Sequence, residues 1–124
     1  MTALNFKARF AAAVARGEKR QTIRARRADG RRFKPLEGLQ LFTGMRTRSC
    51  RWLGDGVVTA VLPVEIAFRR EGLRFALGTV AQTDAQIKAI ALADGFEDAD
   101  AMLDFLIGEH GLPFRGWLIR WRGV

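Results

Sequence analysis

The sequence predicts an α+β domain built on a small β-barrel, with an N-terminal helix and two further helices flanking the barrel. Three observations carry that reading. The middle of the chain breaks into short β-like runs separated by glycine turns, as small barrels do. Helical periodicity is confined to a stretch near the N-terminus and a block late in the chain, apart from the strands. The 124 residues, 48% of them hydrophobic and 27% charged, suit one domain with one core.

After the short apolar segment Leu4-Asn5-Phe6, Lys7 to Arg16 reads as a helix with Phe6, Phe10 and Val14 at i, i+4 and i+8. Gly17 is the expected left-handed cap. A strand follows over Arg20 to Arg24, with Ile23 inward and Arg20, Thr22 and Arg24 sharing the other face. Residues 25–35 are basic, carry an Asp29-Gly30 turn signal and show no apolar period, which predicts a mobile basic loop. Leu39-Gln40-Leu41-Phe42 is the next strand, ending at Thr43-Gly44, and Met45 to Arg51 is basic again. Gly54-Asp55-Gly56 reads as a turn, and Val57 to Phe68 as the longest strand, which Pro63 should bend, bulge or place at an edge. Past the turn Arg69-Arg70-Glu71-Gly72, Leu73 to Val80 alternates as its hairpin partner.

Character then changes. Thr83 and Gln86 make a capping box for a helix carrying Ile87, Ile90 and Ala91 and ending near Asp94-Gly95. Asp98 or Asp100 opens a second helix, with Met102, Leu103, Phe105, Leu106 and Ile107 inward, which stops at Gly111 before Pro113. Arg115 to Arg122 closes the fold as a strand with Trp117, Ile119 and Trp121 on a core face.

The net charge of +8 is unevenly placed: residues 1–51 hold 14 Lys and Arg against 3 acids, and residues 52–124 hold 7 against 10. Most of the cations are arginine, whose planar fork suits phosphate. A polyanion partner follows, nucleic acid being the commonest. Arg26, Arg27, Arg31, Arg32 and Lys34 make the 25–35 loop a candidate phosphate-contacting arm, and Arg46 and Arg48 extend the basic surface. Cys50 is the single cysteine and reads as a small buried or half-buried side chain, so neither a disulfide framework nor a metal cluster is implied, and no cofactor. With no apolar N-terminal core and no run long enough to span a bilayer, the sequence points to a cytoplasmic protein without a membrane partner. His110, at a helix end, suits the helix dipole, and one histidine excludes a two-histidine ribonuclease mechanism. Trp52 offers a stacking surface for a base.

The chemistry concentrates between Arg16 and Arg24. Thr22 and Arg24 project from one strand face about 7 Å apart. Lys19 joins them if the turn after Gly17 swings it round, and faces away if the strand starts at Lys19 without a bulge. A threonine beside a partly desolvated lysine can become a nucleophile. The plainer alternative is a β-branched strand residue beside a surface cation.

Gly17, Lys19, Thr22 and Arg24, preceded by Phe6-Lys7-Ala8-Arg9-Phe10 and a helix, resemble the start of the ASCH domain, a branch of the PUA-like superfamily. Gly38 to Phe42, Gly56 to Val61, Ala93 to Phe96 and Phe114 to Trp121 follow in that family's order. The resemblance implies a PUA-like barrel whose cleft, between barrel and helices, handles RNA or a nucleotide. The general signature is Gly-x-Lys-x-x-Glu-x-Arg; this chain has Thr22 at the glutamate, as do the family's bacterial acetylcytidine amidohydrolases. Carried over by position, the resemblance makes Lys19, Thr22 and Asp94 the catalytic set, with Glu97 a less well aligned acid. Arg20 and Arg24 would join the loop cations in binding nucleic acid. The functions so implied are RNA or nucleoside binding, amide hydrolysis of a modified nucleoside, or ribonuclease action. A basic module docking on an acidic protein is the alternative from a different class.

Overall fold

In the computed structural model all 124 residues are described. The chain forms seven strands and three helices: β1 (Thr2–Phe6), α1 (Ala8–Ala15), β2 (Gln21–Ala25), β3 (Gly38–Thr43), β4 (Arg51–Arg69), β5 (Gly72–Leu77), β6 (Val80–Ala81), α2 (Asp84–Ala93), α3 (Ala99–His110) and β7 (Phe114–Gly123). The α+β class and the three helices are as the sequence predicts.

The barrel is not. The hydrogen-bonded path runs β2-β7-β4-β3-β1, with β5 added to β4 and β6 to β5, and it does not close. β1 pairs only with β3, in parallel, and β2 only with β7, antiparallel. The two free edges are bridged instead by a side chain, Arg24 Nη2 donating to the Asn5 carbonyl at 2.7 Å. Arg24 also lies over the Phe6 ring, 5.1 Å from guanidinium carbon to ring centroid. β1 and β2 share no ladder, and this side chain spans the seam between them.

β4 organises the rest. On one side it pairs with β7 over Gly56 to Ile66; on the other it pairs with β3 up to Val57 and with β5 from Val64. Pro63 lies in the gap between those two ladders, where a missing N–H costs little. β4 shifts register twice, between Val58 and Ala60 against β7 and opposite Leu41 and Phe42 in the β3 ladder. The turn predicted at Gly54-Asp55-Gly56 is absent, because these residues continue β4, Gly54 opposite Leu41 and Gly56 opposite Leu39. Gly56 is there for contact: a Cβ would sit 2.9 Å from Trp121 Cδ1. The expected hairpin partner divides at Gly78-Thr79 into β5 and β6. Leu4-Asn5-Phe6 belongs to a strand, and Cys50 is exposed, in the 44–50 turn.

Twenty buried residues make one core. α1 contributes Phe10 and Val14, α2 contributes Ile90 and Ala91, and α3 contributes Met102 and Leu106. Trp121 is buried as predicted, whereas Trp117 is only half-buried. Thr83 and Gln86 form the capping box, and Asp98 caps α3 through its bond from Ala101 N. No helix is long and apolar enough to cross a membrane.

Candidate functional site

A cleft of about 290 Å³ lies along the seam. β1 supplies Asn5 and Phe6, β2 supplies Thr22 and Arg24, and the helices supply Asp94, Phe105 and His110. Phe10, Phe96 and Phe105 form an edge-on aromatic wall, with centroids 5.3 to 6.5 Å apart. Arg9 covers it from solvent, within 4.6 to 5.1 Å of all three rings. Burying a ring such as Phe10 contributes about 1.5–3 kcal/mol, so the wall is fixed by the core rather than by the ligand.

Lys19 turns inward. Gly17 takes a φ of 75°, and β2 starts at Gln21, so Lys19 escapes the alternation that would have pointed it away. Its side chain is 2% exposed and its ammonium lies 4.9 Å from the centre of the Phe10 ring. All three Nζ protons have acceptors nearby: the Gln21 carbonyl at 2.8 Å, the Asp94 carbonyl, and Asp94 Oδ1 at 3.5 Å. Asp94 gets there because α2 ends on it and Gly95 follows with a φ of 94°. A Cβ on Gly95 would sit 3.1 Å from Phe10 Cδ1 and 3.4 Å from Lys19 Cδ.

The pair is electrostatically poised. Burial pulls Lys19 down to about 8, against the opposing pull of Asp94, while Arg24 and Arg9 add to the lowering. Burial pushes the Asp94 carboxyl up, and Lys19, Gln21 and Arg24 hold it back. Arg24 is lowered by the same desolvation. Lys19 and Asp94 each bear their charge at a desolvation cost that the other partly offsets.

Thr22 is buried, and its Oγ1 accepts from Arg24 Nε at 3.1 Å. The hydroxyl is thus polarised by Arg24, and no hydrogen bond joins it to Lys19. Lys19, Thr22, Arg24 and Asp94 all line the one cleft. Glu97 is exposed and does not, so Asp94 is the acid the structure brings to Lys19.

Arg20 is a correction. It precedes the first ladder residue and is not held to the face of Thr22; its guanidinium packs over Gly17 and lines a separate groove with Trp52 and Trp121. That groove is larger, about 380 Å³, but gathers no buried titratable group. Trp52 is 60% exposed there and donates to Asp55 at 3.0 Å. Arg26, Arg27, Arg31, Arg32 and Lys34 are exposed beside the seam, and Arg46 and Arg48 are exposed in the 44–50 turn, outside the cleft.

Gln21 was not singled out from the sequence. It is buried, donates to the Ile90 carbonyl at 3.2 Å and Asp94 Oδ1 at 3.5 Å, and accepts from Arg120 at 3.4 Å. The signal was its alternation with inward Ile23, which puts an amide where only a bonded polar group is tolerated. His110 reaches the cleft rim and packs on Phe114, with centroids 5.3 Å apart. No group of three or more His, Cys, Asp or Glu converges as a metal site would require. No family model matches the chain, and neither the curated proteins nor the solved structures give a match.

Proposed function

We propose that this protein is a PUA-like ASCH protein that binds RNA, or a nucleoside or nucleotide, in the cleft along the β1–β2 seam. The observation that supports the reading is the convergence of Lys19, Thr22 and Arg24, from the motif, with Asp94 on one cavity. At about 290 Å³ the cavity is at the low end of the roughly 300–1,000 Å³ range of small-molecule sites. That suits one nucleoside unit, with the phenylalanine wall against the base and Arg24 toward phosphate. The exposed 26–34 arginines add a field that attracts the polyanion.

Amide hydrolysis is the second reading, favoured by the lowered proton affinity of Lys19. Near pH 8 about half of the lysine is the neutral amine. On losing its proton, the amine can release one of its two backbone carbonyls and turn its lone pair toward the cleft. It then takes the proton of Thr22, or of a water, as that oxygen attacks the acyl carbon. Arg24 faces the oxyanion, and the proton returns to the departing nitrogen as the C–N bond breaks; where Thr22 was the nucleophile, a water deprotonated by the same amine then cleaves the threonyl ester, releasing the carboxylic acid and restoring the hydroxyl.

Two measurements test these readings. RNA or nucleotide affinity, followed across salt concentrations, should fall linearly on logarithmic axes and be lost in Arg24→Ala; no detectable binding at low salt would refute the proposal. Acetylcytidine incubated with the pure protein should lose its acetyl group at a rate that rises through about pH 8 and disappears in Lys19→Ala. Equal turnover in the variant would eliminate the mechanism.

A further inference from the structure

The face of β2 that floors the cleft continues beyond it. Arg24 is the cross-strand partner of Trp117 in the β2–β7 ladder, and such neighbours bring their side chains to about 5 Å. Arg24 accordingly lines two cavities, the cleft and a second one of about 260 Å³ whose wall includes Arg27, Arg31, Phe33 and Trp117. Over the half-buried indole stand two guanidiniums, Arg26 at 5.3 Å and Arg32 at 5.6 Å from the ring centre.

Neither of these, nor Arg31, has a carboxylate within ion-pairing distance. The acids nearby in the chain are already engaged. Asp29 holds Arg27 and the Arg31 backbone, and Glu37 holds Thr2 and the Lys34 backbone. Cation–π contact explains one arginine on the ring. Two like charges over the same ring repel, and an anion relieves that repulsion while a base takes the aromatic face.

We infer that the two cavities form one track for single-stranded nucleic acid at least two nucleotides long. One nucleoside enters the cleft, Arg24 holds the phosphate linking it to the next, and the next base lies on Trp117 in place of one arginine. This rests on the nucleotide reading of the cleft and narrows it from a free nucleoside to a strand.

The test compares the four 5′-mononucleotides with the matching 5′-phosphorylated RNA homodinucleotides, by calorimetry at low salt. In the wild type at least one dinucleotide should bind at least about fivefold tighter than its mononucleotide, the smallest effect expected for one stacked base. Trp117→Leu should abolish that excess and leave mononucleotide affinity unchanged, while Trp117→Phe retains most of it. If Trp117→Leu does not fold, Arg31→Gln, in the wall of the second cavity, should weaken the dinucleotide alone. Equal affinities in the wild type, an excess that survives Trp117→Leu, or equal weakening of both ligands would overturn the track while leaving the cleft as a mononucleotide site. Failure of every nucleotide to bind would instead overturn the functional reading, and the track with it.

Discussion

On the cleft floor, Lys19 is a cation taken out of water and Arg24 a half-buried one, the first bonded to Asp94 and two carbonyls, the second to Asn5 and Thr22. In the 26–34 loop, Arg26, Arg31 and Arg32 are cations left in water, with no carboxylate partner. Both belong to the same arginine-rich half of the chain, and composition does not separate them. Desolvation does. A buried charge is fixed in place by its partners and shifts its proton affinity, whereas an exposed one acts through the summed field. The floor can therefore do chemistry or position a ligand, and the loop can attract and hold one.

The largest effect that separates the two regions is expected from Asp94→Ala. It leaves the Lys19 ammonium buried without its carboxylate, which should cost about 3–5 kcal/mol in denaturant unfolding. The sign of its pH dependence follows from Lys19. Without Asp94 the lysine in the folded protein sheds its proton more readily than in the wild type, while the unfolded chain keeps it, so the deficit should narrow as pH rises toward about 8. Lys19→Ala should cost less, about 2 kcal/mol, because the buried Asp94 carboxyl already has a raised proton affinity and can neutralise itself. Its deficit should narrow in the opposite direction, as pH falls. Parallel pH trends in the two variants would show that the pair is not coupled.

The smallest stability effect is expected from the loop. Arg27→Gln and Arg31→Gln should each leave stability within about 0.5 kcal/mol of wild type, yet each should reduce the salt slope of RNA binding by about one. A large loss of stability there would erase the distinction between floor and loop.

Much of the floor was legible in the sequence because its determinants are local. Gly17, the Lys19-x-x-Thr22-x-Arg24 spacing, the capping box at Thr83 and the helix end at Asp94-Gly95 each set backbone direction within a few residues. Even so, the motif left the direction of Lys19 open, and only the start of the ladder at Gln21 decided it. What could not be read depends on pairing across the chain. Gly54-Asp55-Gly56 has the composition of a turn, but β3 on one side and Trp121 against Gly56 hold it straight. Trp117 has the alternation of a core residue, but of its two cross-strand partners only Pro63 is apolar and the other is Arg24. The open barrel is of the same kind. Residue patterns give strands, and whether the first and second pair is decided across the chain; here they share no ladder and only Arg24 bonds across.

The seam as a ligand site can be tested directly by titrating a 5′-nucleotide into the isotope-labelled protein and following backbone amide resonances. The expected result is concerted shifts at Asn5 and Phe6 on one edge, Thr22 and Arg24 on the other, and Asp94 to Phe96 at the helix end, with Gly72 to Ala81 unmoved. Shifts confined to the groove around Trp52, or none at saturating ligand, would contradict the account.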